Sequence, residues 1–222
     1  MRPFLALLAS LVFSTAFAGT TIDLSAEASL PAANDLLKAV VYSEAHGSAP
    51  AEIARRDNQE NAEALRLIRN KPSVTVKTGN QLTYPFYGNN RRIDSWRMHS
   101  ELLLESKDIA TLSELLGRLQ QMKLALGNVS QSPSSSTRLE IEEAATREAI
   151  KAFERRAGVI AQTMGKPYRI KQLNIQQAGS FPPVMPMRAA RAMLTADAAP
   201  APIEAGESML TVSISGQNEL TD

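Results

Sequence analysis

Cysteine is absent from the 222-residue chain, and histidine is scarce, at two residues. Without a thiol there is no disulfide framework, no thiolate metal site and no lipidation point. The fold must then be held by its core alone, which a chain of this size can supply. The two histidines, His46 and His99, restrict any Ser-His-acid arrangement to two positions, and no Gly-x-Ser-x-Gly elbow occurs. Paired carboxylates such as Glu142-Glu143 fall near the start of an expected helix, where the macrodipole accounts for them. Charge of one sign is lacking too. Arg2 is the only charged residue in positions 1–18, so residues 19–222 carry 23 basic and 23 acidic side chains. A neutral chain has no concentrated positive field for phosphates, which argues against nucleic acid and against anionic membranes. From these absences the expectation is a protein that is not an enzyme and carries no cofactor.

What is present begins at the N-terminus. Arg2 is a short positive region, Phe4 to Phe13 is an almost unbroken apolar run, and Ala16-Phe17-Ala18 before Gly19 gives the small-x-small pattern that signal peptidase cleaves. The run is well short of the ~20 apolar residues that span a bilayer, and Thr20, Asp23 and Glu27 follow closely. Residues 1–18 therefore read as a signal peptide cleaved after Ala18, releasing an exported protein with no transmembrane anchor.

Periodicity then alternates between two and about three and a half. Ile22, Leu24, Ala26, Ala28 and Leu30 alternate with polar residues, which predicts a half-buried strand ended by Pro31. Leu36 to Ala45 is a second strand, closed by Gly47. Ser48 is expected to cap a helix with Pro50 in its first turn, running to about Arg69. Its apolar positions are Ile53, Ala54, Ala64, Leu65 and Ile68. The polar middle, Arg55 to Asn61, is expected at the surface or against a partner.

Val74, Val76, Leu82 and Tyr84 predict a third strand, and Trp96, Met98, Leu102 and Leu104 a fourth. Pro85, Gly88, Asn89 and Asn90 between them read as the turn of a long hairpin. Ile109, Leu112, Leu115, Leu116, Leu119 and Met122 form a helical stripe from Asp108 onward. Leu124 to Val129 is a short strand and Ser130 to Ser136 a loop. Thr137 and Glu140 fit a capping box, opening a helix that Gly165 and Pro167 stop near Met164. Tyr168 to Ile175, and the run containing Leu210, Val212 and Ile214, are the last strands. Between them, about 179–205, lies a Pro/Ala/Met-rich segment that cannot bury enough apolar surface to order itself, and a long mobile loop is expected.

The order of these elements carries a resemblance. Leu82-Thr83-Tyr84-Pro85-Phe86-Tyr87, Arg92-Ile93-Asp94-Ser95-Trp96, a Leu-rich helix, a helix rich in Ala and Glu, and Pro202-Ile203-Glu204-Ala205-Gly206-Glu207 before the last strand together resemble the SIMPL-domain family of periplasmic proteins. The resemblance spans nearly all of residues 19–222. It implies a single α+β domain, an antiparallel sheet packed against helices, and a periplasmic location. Bacterial members are described as periplasmic or outer-membrane-associated immunogenic proteins, some linked to oxidative-stress defence, and at least one assembles into a large hollow oligomer. The resemblance thus implies a homo-oligomeric binding or structural component of the envelope. It brings no catalytic residues.

Three constellations are candidates for function. Glu44 and His46, and likewise His99 and Glu101, are two apart on predicted strands, so each pair shares a face. Were the strands neighbours, two His and two carboxylates could bind a divalent metal or small ligand; the plain alternative is a wet strand face on which His99 sits with Arg97, Glu101 and Glu105. Tyr84, Phe86, Tyr87 and Trp96 are half of the eight aromatics in residues 19–222 and are mixed with Arg91 and Arg92, the composition of an interface. The competing reading is a hairpin whose aromatics pack on their own sheet. Met185, Met187 and Met193 in the Pro/Ala/Met segment could be oxidised sacrificially or be merely tolerated there.

Overall fold

A computed structural model describes residues 20–88, 92–178 and 206–221. The expected signal peptide and the 179–205 segment with Met185, Met187 and Met193 lie outside the described residues, as do Asn89, Asn90 and Arg91. In chain order the elements are β1 (Thr20–Ala33), β2 (Leu36–Gly47), α1 (Pro50–Arg69), β3 (Thr75–Tyr87), β4 (Ile93–Ser106), α2 (Ile109–Gln121), β5 (Ala125–Ser132), α3 (Ser135–Met164), β6 (Tyr168–Ala178) and β7 (Glu207–Leu220). The fold is α+β, with every strand pair antiparallel. The strands are divided between two sheets, β1-β7-β6 and β3-β4-β2-β5.

The helices divide the same way. The odd residues of β2, Leu37, Ala39 and Val41, and the even residues of β4, Leu102 and Leu104, form a core with Ala64 and Ile68 of α1 and Leu112, Leu115, Leu116 and Leu119 of α2. In the other half Ala145, Ala149 and Phe153 of α3 close on Ala26 of β1 and on Val212 and Ile214 of β7. The small residues on this face of α3 let its backbone approach the sheet, and Phe153 fills the remaining depth. Gly216 of β7 is needed there, because a Cβ would meet the Gln172 carbonyl and the Phe153 ring.

Several boundaries differ from the sequence reading, each for a local reason. Pro31 does not end β1, which pairs with β7 as far as Ala33 opposite Glu207. β1 is an edge strand, where a residue without an N–H costs no ladder hydrogen bond. Pro85 likewise lies within edge strand β3, opposite Trp96, and the turn follows it, with the Gly88 N–H donating to the Arg92 carbonyl. Ser48 does not cap α1; the N-cap is Ala49, with no side-chain hydrogen bond, because Pro50 starts the helix. For α3 the capping box is set one turn too late: Ser134 is the cap and accepts from Thr137 N at 3.3 Å. The expected Ser130–Ser136 loop shrinks accordingly, since β5 runs to Ser132. Asp108 caps α2, accepting from Thr111 N at 3.0 Å.

The two halves are joined at the β1–β2 turn. Asp35 accepts from Ser134 N at 2.6 Å, from the Ser134 and Thr137 hydroxyls at 2.8 Å each, and pairs with Lys107 at 3.2 Å. Neighbouring Asn34 is buried, its Oδ1 accepting from Ser208 Oγ at 2.7 Å. Burial raises the Asp35 carboxyl, but the bonds from Ser134, Thr137 and Lys107 outweigh it and hold it well below the usual carboxylate range. A depressed folded value means that this stabilisation is complete above the unfolded value and is lost as pH falls toward the folded one. Asp35→Asn is expected to cost about 2 kcal/mol at neutral pH, by the worth of charge-assisted hydrogen bonds. Urea titrations at descending pH should show the gap to the unaltered protein narrowing in acid; a gap independent of pH would contradict the assignment.

Candidate functional site

Among the described residues the four-stranded sheet is covered on one face only. Period-two alternation sends Leu37, Ala39, Val41, Ser43 and Ala45 of β2 and Met98, Ser100, Leu102 and Leu104 of β4 toward the helices. The opposite face takes Tyr42, Glu44 and His46 from β2 and Arg97, His99, Glu101 and Leu103 from β4. β2 and β4 are direct neighbours, with Glu44 opposite His99 and His46 opposite Arg97.

What β3 adds to this open face depends on a bulge. Val76 lies opposite Leu104 and packs against the core, but the register shifts by one residue between Thr78 and Gln81. Beyond the shift Leu82, Tyr84 and Phe86 stand opposite His99, Arg97 and Ser95. An inserted residue reverses which parity faces which way, so Leu82 and Tyr84 leave the face that Val76 occupies. The Asn80 N–H at the bulge is taken by Glu101 Oε2 at 3.2 Å. Gly79 is required beside it, because a Cβ would come within 2.8 Å of Glu101 Cβ.

The result is a bare apolar hairpin. Leu82, Tyr84, Phe86, Tyr87 and Ile93 are between 44% and 58% exposed. The Arg97 guanidinium sits 4.8 Å from the centre of the Phe86 ring, a cation–π contact that keeps a charge next to the aromatic surface. Trp96 does not belong to this group. It points to the helix side, packed against Ala45, Ile53 and Met98, because it has the parity of Met98 and not that of Arg97.

The histidines also separate. His99 lies between two carboxylates, with Nδ1 at 3.6 Å from Glu44 Oε1 and Nε2 at 3.2 Å from Glu101 Oε1. Tyr42 stacks on it at a centroid distance of 4.8 Å. The His99 hydrogen bond is the main cause that lowers the Glu101 carboxyl, followed by the Asn80 backbone N–H. His46, also on β2, is exposed and faces Arg97 across the strand pair. No group of three or more His, Cys, Asp or Glu side chains among the described residues could hold a metal ion. With both His99 nitrogens directed at carboxylates, neither nitrogen is turned toward a common centre with His46.

A second polar cluster went unnoticed in the sequence. Asp57 of α1 is fully buried against this chain's own sheet, although the Arg55–Asn61 stretch was expected at the surface or against a partner. It accepts from the Ser43 and Ser100 hydroxyls, each at 2.5 Å, and from Asn61 Nδ2 at 3.0 Å. The signal was available: Ile53, Asp57, Asn61, Ala64 and Ile68 recur at helical spacing, so the two polar residues lie on the buried stripe. No histidine joins these serines, and Asp57 takes both hydroxyl protons as a fixed acceptor. The arrangement fastens α1 to the β2–β4 pair and offers no activated nucleophile.

A groove of about 570 Å³ runs between β1 and α3, lined by Arg155, Arg156, Val159 and Ile160 with Glu27 as its single carboxylate. Arg156 donates to the Ser25 carbonyl at its edge. Among the described residues no helix is long and apolar enough to cross a membrane.

Comparison with known proteins identifies a family that matches most of the chain. The family SIMPL, described as "Protein of unknown function (DUF541)", matches residues 22–217. No curated protein matches. Among solved structures, a crystal structure of AtUAH in complex with glyoxylate aligns at 18% identity over 49% of this chain and 29% of that one. Its TM-score is 0.23, too low to relate the two folds.

Proposed function

The chain belongs to the SIMPL family, and we propose that it is a non-enzymatic, exported envelope protein that self-associates through the open face of its four-stranded sheet. The observation that carries this reading is the β3–β4 hairpin, where Leu82, Tyr84, Phe86, Tyr87 and Ile93 are exposed together. Aromatic residues with an adjacent arginine are the composition enriched at interface centres, and Arg97 on Phe86 supplies that pairing. Export is supported by Ala16-Phe17-Ala18 after the short apolar run. A periplasmic role in defence against oxidative stress is the part that the family resemblance contributes.

Light scattering coupled to size exclusion tests the reading on the purified protein. A discrete assembly is expected, and the double substitution Phe86→Ser, Tyr87→Ser is expected to dissociate it while leaving the circular dichroism spectrum and thermal transition in place. Exposed hot-spot aromatics are worth about 2 kcal/mol or more each, so the pair should weaken association by roughly a thousand-fold. Unchanged assembly in the double variant would remove the hairpin from the interface. Metal assayed on the same peak would, at one equivalent per chain, bring Glu44, His46, His99 and Glu101 forward instead.

A further inference from the structure

We propose that β6 is a second self-assembly site, at which two copies of this chain pair edge to edge through Gln172–Gln176 and join their three-stranded sheets into one of six strands. The site lies on the other sheet and does not depend on the open face. β6 ends the order β1-β7-β6, and among the described residues nothing pairs with its outer edge. Backbone groups left unpaired along an edge are a template for another strand. The pairing of β7 identifies them. The Thr221 N–H donates to the Pro167 carbonyl on the β6 side, and the Asn34 N–H, on the β1 side, donates to the Gly206 carbonyl. Direction alternates along an antiparallel strand, so odd residues of β7 turn to β6 and even ones to β1. Asn174, opposite Ser215, is therefore bonded inward, whereas Leu173 and Ile175, opposite Gly216 and Ile214, present their N–H and C=O groups to the open edge.

The side chains beside these groups are uncovered too. Leu173 and Ile175 stand on the α3 side of the sheet, yet they are 40% and 47% exposed, because α3 closes on β1 and β7. Ile170, before the register shift in β6, does pack against that core. Other edges are blunted, as natural edges usually are. β1 carries Pro31, and Arg156 donates to its Ser25 carbonyl; β3 carries Pro85 and the bulge. On β6 the charged residues Arg169 and Lys171 pair with Glu219 and precede the stretch. From Gln172 to Gln176 there is neither charge nor proline.

This stretch is complementary to itself. Gln172-Leu173-Asn174-Ile175-Gln176 reads nearly the same in both directions about Asn174. A two-fold axis through Asn174, normal to the sheet, sets Leu173 against the second copy's Ile175 and Gln172 against its Gln176, an isologous contact. Leu173 and the opposing Ile175 exchange their backbone hydrogen bonds, and the four aliphatic side chains close on one another beside α3. The glutamines meet as amides, each both donor and acceptor, and no like charges come together. A charged strand would find no counter-charge on this neutral edge, so charge complementarity selects a second copy. The axis keeps both α3 helices on one face of the joined sheet, and the open faces of the four-stranded sheets can then link such pairs into a larger assembly.

The chain has no cysteine, so one introduced thiol reports on the contact. In Asn174→Cys the substituted residue meets its copy at a non-hydrogen-bonded position, where Cα atoms are about 4.5 Å apart, within the roughly 4.4–6.8 Å that a disulfide bridges. In Gln176→Cys the two positions are four residues out of register, ~13 Å apart. Mild oxidation of the purified proteins with diamide is expected to yield disulfide-linked pairs from Asn174→Cys and single chains from Gln176→Cys. Adding Leu173→Lys and Ile175→Lys to Asn174→Cys sets like charges opposite each other and should cut pairing at least about ten-fold, with the circular dichroism spectrum in place because both side chains are exposed. Phe86→Ser, Tyr87→Ser should keep the link at 174 and fall by light scattering to two chains. No link at 174, or an equal link at 176, would overturn the proposal and leave the open-face interface standing. Leu173 and Ile175 amides protected from exchange to the same degree at every protein concentration would overturn it as well, since the edge would then be covered within one chain. A link at 174 in a protein whose mass ignores Phe86→Ser, Tyr87→Ser would support pairing through β6 and sink the open-face reading instead.

Discussion

Asp57→Ala is expected to lower the free energy of unfolding by about 3 kcal/mol, as a drop in the urea midpoint with little change in slope. Asp57 is fully buried between α1 and the sheet, and three donors end on its carboxylate. Truncation leaves the Ser43 and Ser100 hydroxyls and one Asn61 N–H without an acceptor in a place that water does not reach easily. Each stranded donor costs about 1–3 kcal/mol, and relief of the buried charge returns part of the total. Asp57→Asn is a sharper probe, since its amide presents a donor to one of two hydroxyl donors. A loss below about 1 kcal/mol in Asp57→Ala would mean that the cluster is hydrated and does not fasten α1.

Phe153→Ala should be at least as damaging, by about 3–5 kcal/mol. Phe153 is fully buried and is the largest side chain of the second core, between α3 and the β1-β7-β6 sheet. Its neighbours on the helix, Ala145, Ala149 and Ala157, are too small to move into the space, and Gly216 facing it has no side chain. The cavity therefore stays open, which places the cost toward the upper end of that range. Val159→Ala on the same helix is the control: Val159 is 64% exposed, and surface substitutions stay within about 0.5 kcal/mol. A small effect in Phe153→Ala would imply that α3 does not pack on β7 as described.

Legibility in the sequence followed the strength of the periodicity. The Leu stripe of α2 and the alternation in β1, β4 and β7 identified elements and faces, because one buried face imposes a period that composition cannot hide. Ends marked by proline or by capping side chains were less secure. Pro31 and Pro85 suggested termini, and only strand order shows that both are on edges where proline is tolerated. At α3, Thr137 suggested the cap, and the choice of Ser134 depends on Asp35, distant in sequence, which holds both hydroxyls. For the candidate site, the aromatic hairpin was legible as composition, whereas Asp57 was masked by its polar neighbours in α1.

By itself the sequence determined the α+β class, most of the elements and the core side of α2, β1, β4 and β7, together with membership of the SIMPL family, because hydrophobic period and element order are local and additive. Tertiary structure alone decided which residues meet on the open face. The bulge at Gly79 and Asn80 turns Leu82, Tyr84 and Phe86 outward, parity sends Trp96 inward, and the pairing of β2 with β4 sets His99 between Glu44 and Glu101 while leaving His46 aside. The physical reason is that register between strands is a relation between distant segments, and a one-residue shift reverses every side chain beyond it.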